Sequence, residues 1–431
     1  MEFVCRVMPF GYTSASNRVQ AKPGTRAVFV GESVKELGRM SLPFSGYRVI
    51  DFGQWIAGPV AAFILADQGA DVIKVETPTG DVMRGVGPSR GGHGIPYLHW
   101  NRNKRSISLD LRTPEGQAMV HRLVKTADVV VHNYRPGVPE RIGIGEAQLR
   151  EINPKLVYVS ISGFGEEGPL ARETAYDGLV QAMSGIGWSQ SEGGEIEPYL
   201  IRTPAIDKMT GMVTAQAASA ALCARERTGE GQHVKLCMLD IGVEFGWTDT
   251  FGREAWLGDK PQVETTDRGD WIQRTADGMI VCQTVSDKEF RIVADLTGHP
   301  EWKDDERYNN VGARTKNMRE YCRLLKNAFV DQPTDYWVTT MRAAGLGVAP
   351  VLSPGQMADH DQLVANRLLH ERDDPRAGAY RACRGAARFN DQPPRFDYHA
   401  PDLGEHTEEI LAELGCAPEE VAVLRQQGVV R

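Results

Sequence analysis

Between positions 47 and 162 short apolar runs alternate with longer stretches of helical spacing. YRVIDF (47–52), ADVIKVE (70–76), SISLDL (106–111), DVVVHN (128–133) and LVYVSIS (156–162) each read as a strand. Runs this apolar suit strands covered on both faces. VAAFILADQG, ending at Gly69, and the stretch from Thr113-Pro114-Glu115 to about Thr126 predict helices. Strand, helix, strand in that order predicts a parallel sheet and an α/β fold. QHVKLCML (232–239) predicts a further strand. The pattern then changes: residues 245 to 275 show little periodicity. GMIVCQTV (278–285) and helical stretches at 287–297, 315–331 and 334–344 predict a smaller α+β region. The tail from Gly404 predicts two amphipathic helices split near Cys416-Ala417-Pro418.

The most informative stretch is EPYLIRTPAIDKMTGMVTAQAASAALCARERTG (197–229). Thr203-Pro204 breaks what precedes it, Asp207 opens a run of good helix formers, and Gly229 closes it. Alanines crowd positions 215 to 224, so this helix can lie close against another backbone. Asp207 falls at its N-terminal end, where free N–H groups and the dipole favour an anion. That placement fits an N-cap, much the commoner use of such a residue, and also a catalytic carboxylate.

The glycine motifs narrow the chemistry. Gly53 and Gly58 lie between the first strand and the first helix, with no G-x-G-x-x-G, and Pro59 stands where a phosphate-binding loop needs lysine. Glu76 ends the second strand, where a nicotinamide-binding fold puts its ribose carboxylate, but the turn does not fit that role. GFGEEG (163–168) matches the glycine pattern; Pro169 follows at once and no helix opens until near Tyr176. It reads as a loop over a site, built on Gly163, Gly165 and Gly168. YRPGVPER (134–141) puts Arg135 and Arg141 at the carboxyl end of a parallel strand, where open α/β sheets bind ligands, and where solvated surface charges are equally common. No metal-ligating histidine pair and no G-x-S-x-G is present. Cys223 is expected on the buried alanine face, and Cys237 within a strand. What remains is a carboxylate at a helix N-terminus beside a glycine-rich loop. A carboxylate can be a covalent nucleophile, and it suits acyl transfer between thioester and acid.

Composition adds limits. The chain has 431 residues, enough for two or three domains, with 41% hydrophobic and 25% charged residues. A net charge of −8 argues against nucleic acid as partner. No run of about 18 apolar residues exists, so no membrane span is expected. The seven cysteines are widely spaced, without C-x-x-C. They read as reduced thiols of a cytoplasmic protein. The first forty residues are rich in lysine and arginine and read as an appended arm.

VIDFGQWIAGPVAAFILADQGADVIKVE, NKRSISLDLRTPEG, ADVVVHNYRPGVPERIG, NPKLVYVSISGFGEEGPL and PAIDKMTGMVTAQAASAAL occur in this order. Together they resemble the class III CoA-transferases, the CaiB/BaiF family, from about Leu42 to the C-terminus. HPEWKDDERY and LGEHTEEILAELG extend the resemblance. It implies a Rossmann-like large domain built from both ends of the chain, with a smaller α+β domain inserted. In those terms residues 1–41 are an extension, 42–230 and 348–431 form the large domain with the return linker, and 231–347 the linker and small domain. It also implies an interlocked homodimer.

The resemblance puts the nucleophile on Asp207 and CoA contacts on Ile56, Ala57, Asn133, Tyr134 and Arg141; Arg135, at the same strand end, is expected to hold CoA phosphates with Arg141. The substrates it implies are an acyl-CoA and a carboxylic acid, with coenzyme A part of the substrate and no permanently bound cofactor. Ile56, and TTDRGDW at 265–271, depart from the family's oxalate members. The racemase branch pairs the carboxylate at position 177 with a histidine about thirty residues earlier; this chain has Ala147 there. Asp177 is thus expected as a helix cap or site liner. An acyl-CoA isomerase or 2-methylacyl-CoA racemase is the first alternative, and a CoA- or dinucleotide-binding protein without transfer the second.

Overall fold

The computed structural model describes residues 42–191, 196–248, 250–259, 271–392 and 395–431. The basic first forty residues and the 265–270 part of the departure from the oxalate members lie outside these.

Six parallel strands form the central sheet: β1 (Arg48–Asp51), β2 (Asp71–Glu76), β3 (Lys104–Ser108), β4 (Val129–His132), β5 (Val157–Ser162) and β6 (His233–Cys237). Their order is β3-β2-β1-β4-β5-β6. This is the doubly wound order of dinucleotide-binding folds. The chain runs outward from β1 to β3, then crosses back to β4, so a crevice opens beyond the carboxyl ends of β1 and β4. The register pairs Val49 with both Val72 and Val129, and Val131 with Val159. Apolar side chains alternate to the two faces and are covered on both. On one face Ile50, Ile73 and Val130 pack with Leu123 and with the tail residues Ile410, Leu411 and Leu424. On the other Val49, Val72 and Val131 pack with Ala61, Leu65, Ala218 and Leu222.

The first helix, α1, spans Ala57–Asp67 and starts three residues before the apolar run suggests. Pro59 is tolerated there because the first turn of a helix has no intrahelical use for its N–H. β3 starts at Lys104, two residues before its apolar core, because the Lys104 and Arg105 cations are buried and paired. QHVKLCML is shorter as a strand than its pattern suggests. β6 ends at Cys237, and Met238–Gly246 is a helix. The chain's last segment closes the first face: Val430 bridges Leu109 across helices Thr407–Glu413 and Pro418–Gln426.

A second, antiparallel sheet joins Ile272–Arg274, Met279–Cys282 and Val348–Pro350. It has its own apolar cluster of Ile280, Phe290, Tyr321, Phe329, Trp337 and Met341. An antiparallel hairpin, Leu369–Asp374 with Gly378–Cys383, was not apparent from the sequence pattern. Its strands are polar and half-exposed, so they carry no clear apolar period. Among the described residues no helix is long and apolar enough to cross a membrane.

Candidate active site

The alanine-rich stretch forms a helix of 24 residues, Ala205–Thr228, here called α2, closed by Gly229 at φ 77°. Its buried face repeats at helical spacing through Gly211, Thr214, Ala215, Ala218, Leu222 and Arg225. Gly211 shows why that face is small. A Cβ there would stand 2.5 Å from Val60 Cγ1 and 3.0 Å from the Ala57 carbonyl oxygen. The α2 backbone therefore lies directly on the first turn of α1. Asp207 lies one turn before Gly211 on the same helix.

Asp207 is not the cap of this helix. Pro204 occupies the N-cap position, and no side chain from the helix's own start caps it. The cap comes from far away in sequence: Asp177 Oδ1 accepts a hydrogen bond from the Ile206 N–H at 3.3 Å. Asp177 is buried, and the Gln181 amide nitrogen donates to both its oxygens at 3.2 and 3.1 Å. Gln181 also accepts from the Ile201 N–H at 2.8 Å, which ties the approach to the helix to the same group. With that role filled, the partly buried Asp207 carboxylate accepts no hydrogen bond among the described residues. Burial pushes its pKa up to about 7, and the neighbouring Asp177 charge adds to the rise. Burial also raises Asp177, against the opposing bonds from Gln181 and Ile206 and the charge of Lys208. None of the hydrogen-bond partners of Asp177 is a histidine. Perturbed carboxylates of this kind concentrate at functional sites.

The glycine loop leads into this cap. A Cβ on Gly163 would fall 2.0 Å from the Ala175 side chain, so the loop's two ends touch; Gly165 and Gly168 each have φ 94°. No helix opens before Asp177–Met183, which separates the loop from a dinucleotide fingerprint. Arg135 is exposed, and its guanidinium donates to Thr174 Oγ1 at 2.7 Å, tying the loop to the end of β4.

At the switch point the turn after β1 is drawn tight. A Cβ on Gly53 would meet Gly58 Cα at 2.8 Å, and one on Gly58 would meet Gly53 Cα at the same distance. Trp55, exposed between them, has φ 61°, a conformation costly for an aromatic residue. Asn133 locks this turn from β4: its side chain accepts from the Gln54 N–H at 2.9 Å and donates to the Gln54 carbonyl at 2.8 Å. Tyr134 is partly buried and stacks on His132 with ring centroids 5.9 Å apart. Ile56 is the N-cap residue of α1, and Ala57 is buried beneath it. Ile56, Ala57, Asn133, Arg135, the loop, Asp177 and Asp207 are thus joined through one chain of contacts. Arg141 is not part of that chain. It is exposed at the end of a short helix, Val138–Arg141, with no partner among the described residues.

Beneath the turn lies a buried ionic network. Lys104 donates to Asp51 Oδ2 at 2.8 Å, to the Pro59 carbonyl at 3.0 Å and to Asn101 Oδ1 at 3.0 Å. Lys74 donates to the Gly53 carbonyl at 2.8 Å and to Asp81 Oδ2 at 2.9 Å. Desolvation pulls the Lys104 pKa down to about 8 despite Asp51. Burial lowers the Lys74 pKa, yet Asp81, Asp51 and Glu76 outweigh it and leave the pKa raised. Glu76 is taken up by Arg84, the Asp81 N–H and Ser106, which leaves no free carboxylate for a ribose.

A family model described as CoA-transferase family III matches residues 44–407. The chain belongs to that family. It is a CoA-transferase, acting between acyl-CoA thioesters and carboxylic acids. A succinate–glutarate CoA-transferase of Agrobacterium fabrum is 34% identical over 86% of this chain and 96% of its own length. An acetyl-CoA:oxalate CoA-transferase of Acetobacter aceti is 34% identical over 76% of this chain and 85% of its own. Among solved structures, a CAIB/BAIF family protein from Brucella suis superposes with a TM-score of 0.74, at 31% identity over 87% of this chain and all of that one.

Two residues that hold these turns and caps in place were not singled out from the sequence. Gln181 gave no signal, since an amide four residues after an aspartate is ordinary on a helix. Lys74 did give one: a lysine inside the apolar run VIKVE must find a buried anion. Cys223 corrects an expectation. It is exposed, because the buried face of α2 passes through Leu222 and leaves the next residue outside. Among the described residues no cluster of metal-ligating side chains occurs.

Proposed function

We propose that this CoA-transferase works through a covalent aspartyl cycle on Asp207. Asp207 attacks the donor thioester carbonyl; the C–S bond breaks, CoA leaves as thiolate, and a mixed anhydride forms. The thiolate attacks the aspartyl carbonyl of that anhydride and releases the donor acid as carboxylate, leaving an aspartyl-CoA thioester. The acceptor carboxylate displaces CoA to form a second anhydride, and the thiolate attacks its acyl carbonyl. Product thioester departs and Asp207 is free again; no net proton is consumed. N–H groups at the head of α2 stabilise the oxyanions, and the loop through Gly163, Gly165 and Gly168 shields the anhydrides from water. Ile56, Ala57, Asn133 and Tyr134 line the CoA path, and Arg135 and Arg141 hold its phosphates.

The observation that carries this reading is the unpartnered carboxylate at a helix head that a second carboxylate already caps. Incubation with a turnover-competent acyl-CoA and no acceptor should leave the Thr203–Met209 peptide open to hydroxylamine or borohydride at Asp207, with a mass change. Labelling of Asp177 in its place, or no label, would remove Asp207 as nucleophile. We take the acids to be dicarboxylates, because the two relatives are named for succinate, glutarate and oxalate.

The apolar side chains exposed on the helices packed around Asp207 support an interlocked homodimer. They include Tyr176, Leu179, Met183, Trp188, Met212 and Phe245. The two separate apolar clusters support a large domain from both ends of the chain with a smaller one inserted. The free cysteines support the cytoplasm as its compartment.

A further inference from the structure

A cavity of about 610 Å³ opens beside the nucleophile helix, between α1, α2 and the segment that carries the late hairpin. Its apolar wall is formed by Val60, Phe63, Ile64, Trp100, Met212 and Phe389. α2 supplies Lys208 and Met212 to it, the residue after Asp207 and the one a turn further on. Enclosed, largely apolar spaces with a few placed polar groups are the usual form of small-molecule sites.

The charges of this wall are not balanced. Arg388 is paired with Asp391 and Arg395 with Asp397. Arg384 donates to the carbonyls of Asn366, Arg367, Gly385 and Ala386. Asp67 is engaged by Arg102 and Asn103. Three cations remain without a carboxylate among the described residues: Arg384, which those carbonyls hold in place, Arg367, and Lys208, whose ammonium donates only to Thr203 Oγ1 at 2.8 Å. His99 adds no charge, since burial, with Arg102 and Lys208 nearby, pulls its pKa down to about 3.

We propose that this cavity selects the acid: an aliphatic chain lies along the Val60–Phe63–Met212 wall, and a second anionic group is held by Lys208 and Arg367. This rests on Asp207 as the nucleophile, since Lys208, the next residue of the same helix, lines the cavity. The chemistry it recognises is an α,ω-dicarboxylate with room for a chain longer than four carbons. Lys208 and Arg367 are then specificity-determining residues, with no part in the bond changes.

The test compares adipate with hexanoate as acceptors, equal in length and differing in one carboxylate, with one acyl-CoA donor. The wild-type enzyme should favour adipate by at least ~10-fold in kcat/KM, the scale of one charge-assisted contact. Lys208→Met with Arg367→Met should lower kcat/KM for adipate by roughly 30-fold or more, mostly through KM. Hexanoate and the KM for acyl-CoA should both stay within about 3-fold. Retained turnover of hexanoate shows that the double variant is folded. Equal use of the two acids by the wild type, or equal losses in the double variant, would overturn the proposal. A rise confined to the KM for acyl-CoA would also overturn it, by assigning the cations to CoA phosphates. Failure of the underlying mechanism is distinct: Asp207 would stay unlabelled by a donor that turns over.

Discussion

Asp51 and Asp81, on one side of the Gly53 turn, each face a fully buried lysine ammonium at under 3 Å. Asp207 and Asp177, on the other side, have no lysine or arginine bonded to them, and the Asp177 charge adds to the cost of ionising Asp207. Burial acts on Asp81 and Asp207 in the same direction. For Asp81 it raises the pKa, yet Lys74 and the Met83 N–H outweigh it and hold the group below its usual value. For Asp207 nothing opposes it. The difference is between a carboxylate used as a strut and one left with its lone pairs free. The proposed nucleophile has to be ionised and unpartnered at once, and Asp177, by taking the cap of α2, leaves Asp207 unpartnered.

Replacing each carboxylate or its partner sharpens this contrast. The largest effect is expected at Asp207→Asn. The side chain forms no bond that folding needs, so the variant should fold, with transfer falling by on the order of 10⁴ or more. More than a few per cent of wild-type turnover, read by mass spectrometry of the acyl-CoA product, would erase the distinction between the two pairs.

Lys104→Met should do the reverse. It leaves Asp51 buried without its cation, and breaking a buried pair costs about 3–5 kcal/mol. Denaturant unfolding should show that loss. Adding Asp51→Asn should recover much of it, because the uncompensated charge is then gone. A stability unchanged by Lys104→Met would make the network incidental.

Asp207 should also be a liability to stability. Its proton leaves the unfolded chain near 3.8 and the folded chain near 7. Between those values the folded state binds more protons, so stability falls as pH rises through this window, by about 2–4 kcal/mol. Asp207→Asn removes that fall. It should be more stable than wild type at pH 8 and equal to it at pH 4 or below. A gain of the same size at both pH values would mean that the carboxylate's charge is not the cause.

The smallest effect concerns the pair itself. kcat/KM for acyl-CoA should drop below a limb near pH 7, as Asp207 takes up a proton and ceases to be a nucleophile. Asp177→Asn removes the neighbouring charge and should move that limb down by about one pH unit. An unmoved limb would assign it to another group.

The parallel sheet was legible along the chain because most of its strands are short, mainly apolar runs between turn residues, and both signals are local. So was the smallness of α2, since alanines crowd positions 215 to 224, and Asp207 at its head. What the sequence could not show is which group caps that helix. Asp177 and Ile206 are separated by 29 positions, and their bond forms only when the Asp177–Met183 helix packs on α2. Nor could it show that Lys74 and Lys104 would find Asp81 and Asp51, or that the polar hairpin from Leu369 would wall a cavity beside Lys208. Apolar period and turn chemistry are written residue by residue. The state of a carboxylate depends on what surrounds it, and only the closed tertiary structure decides that.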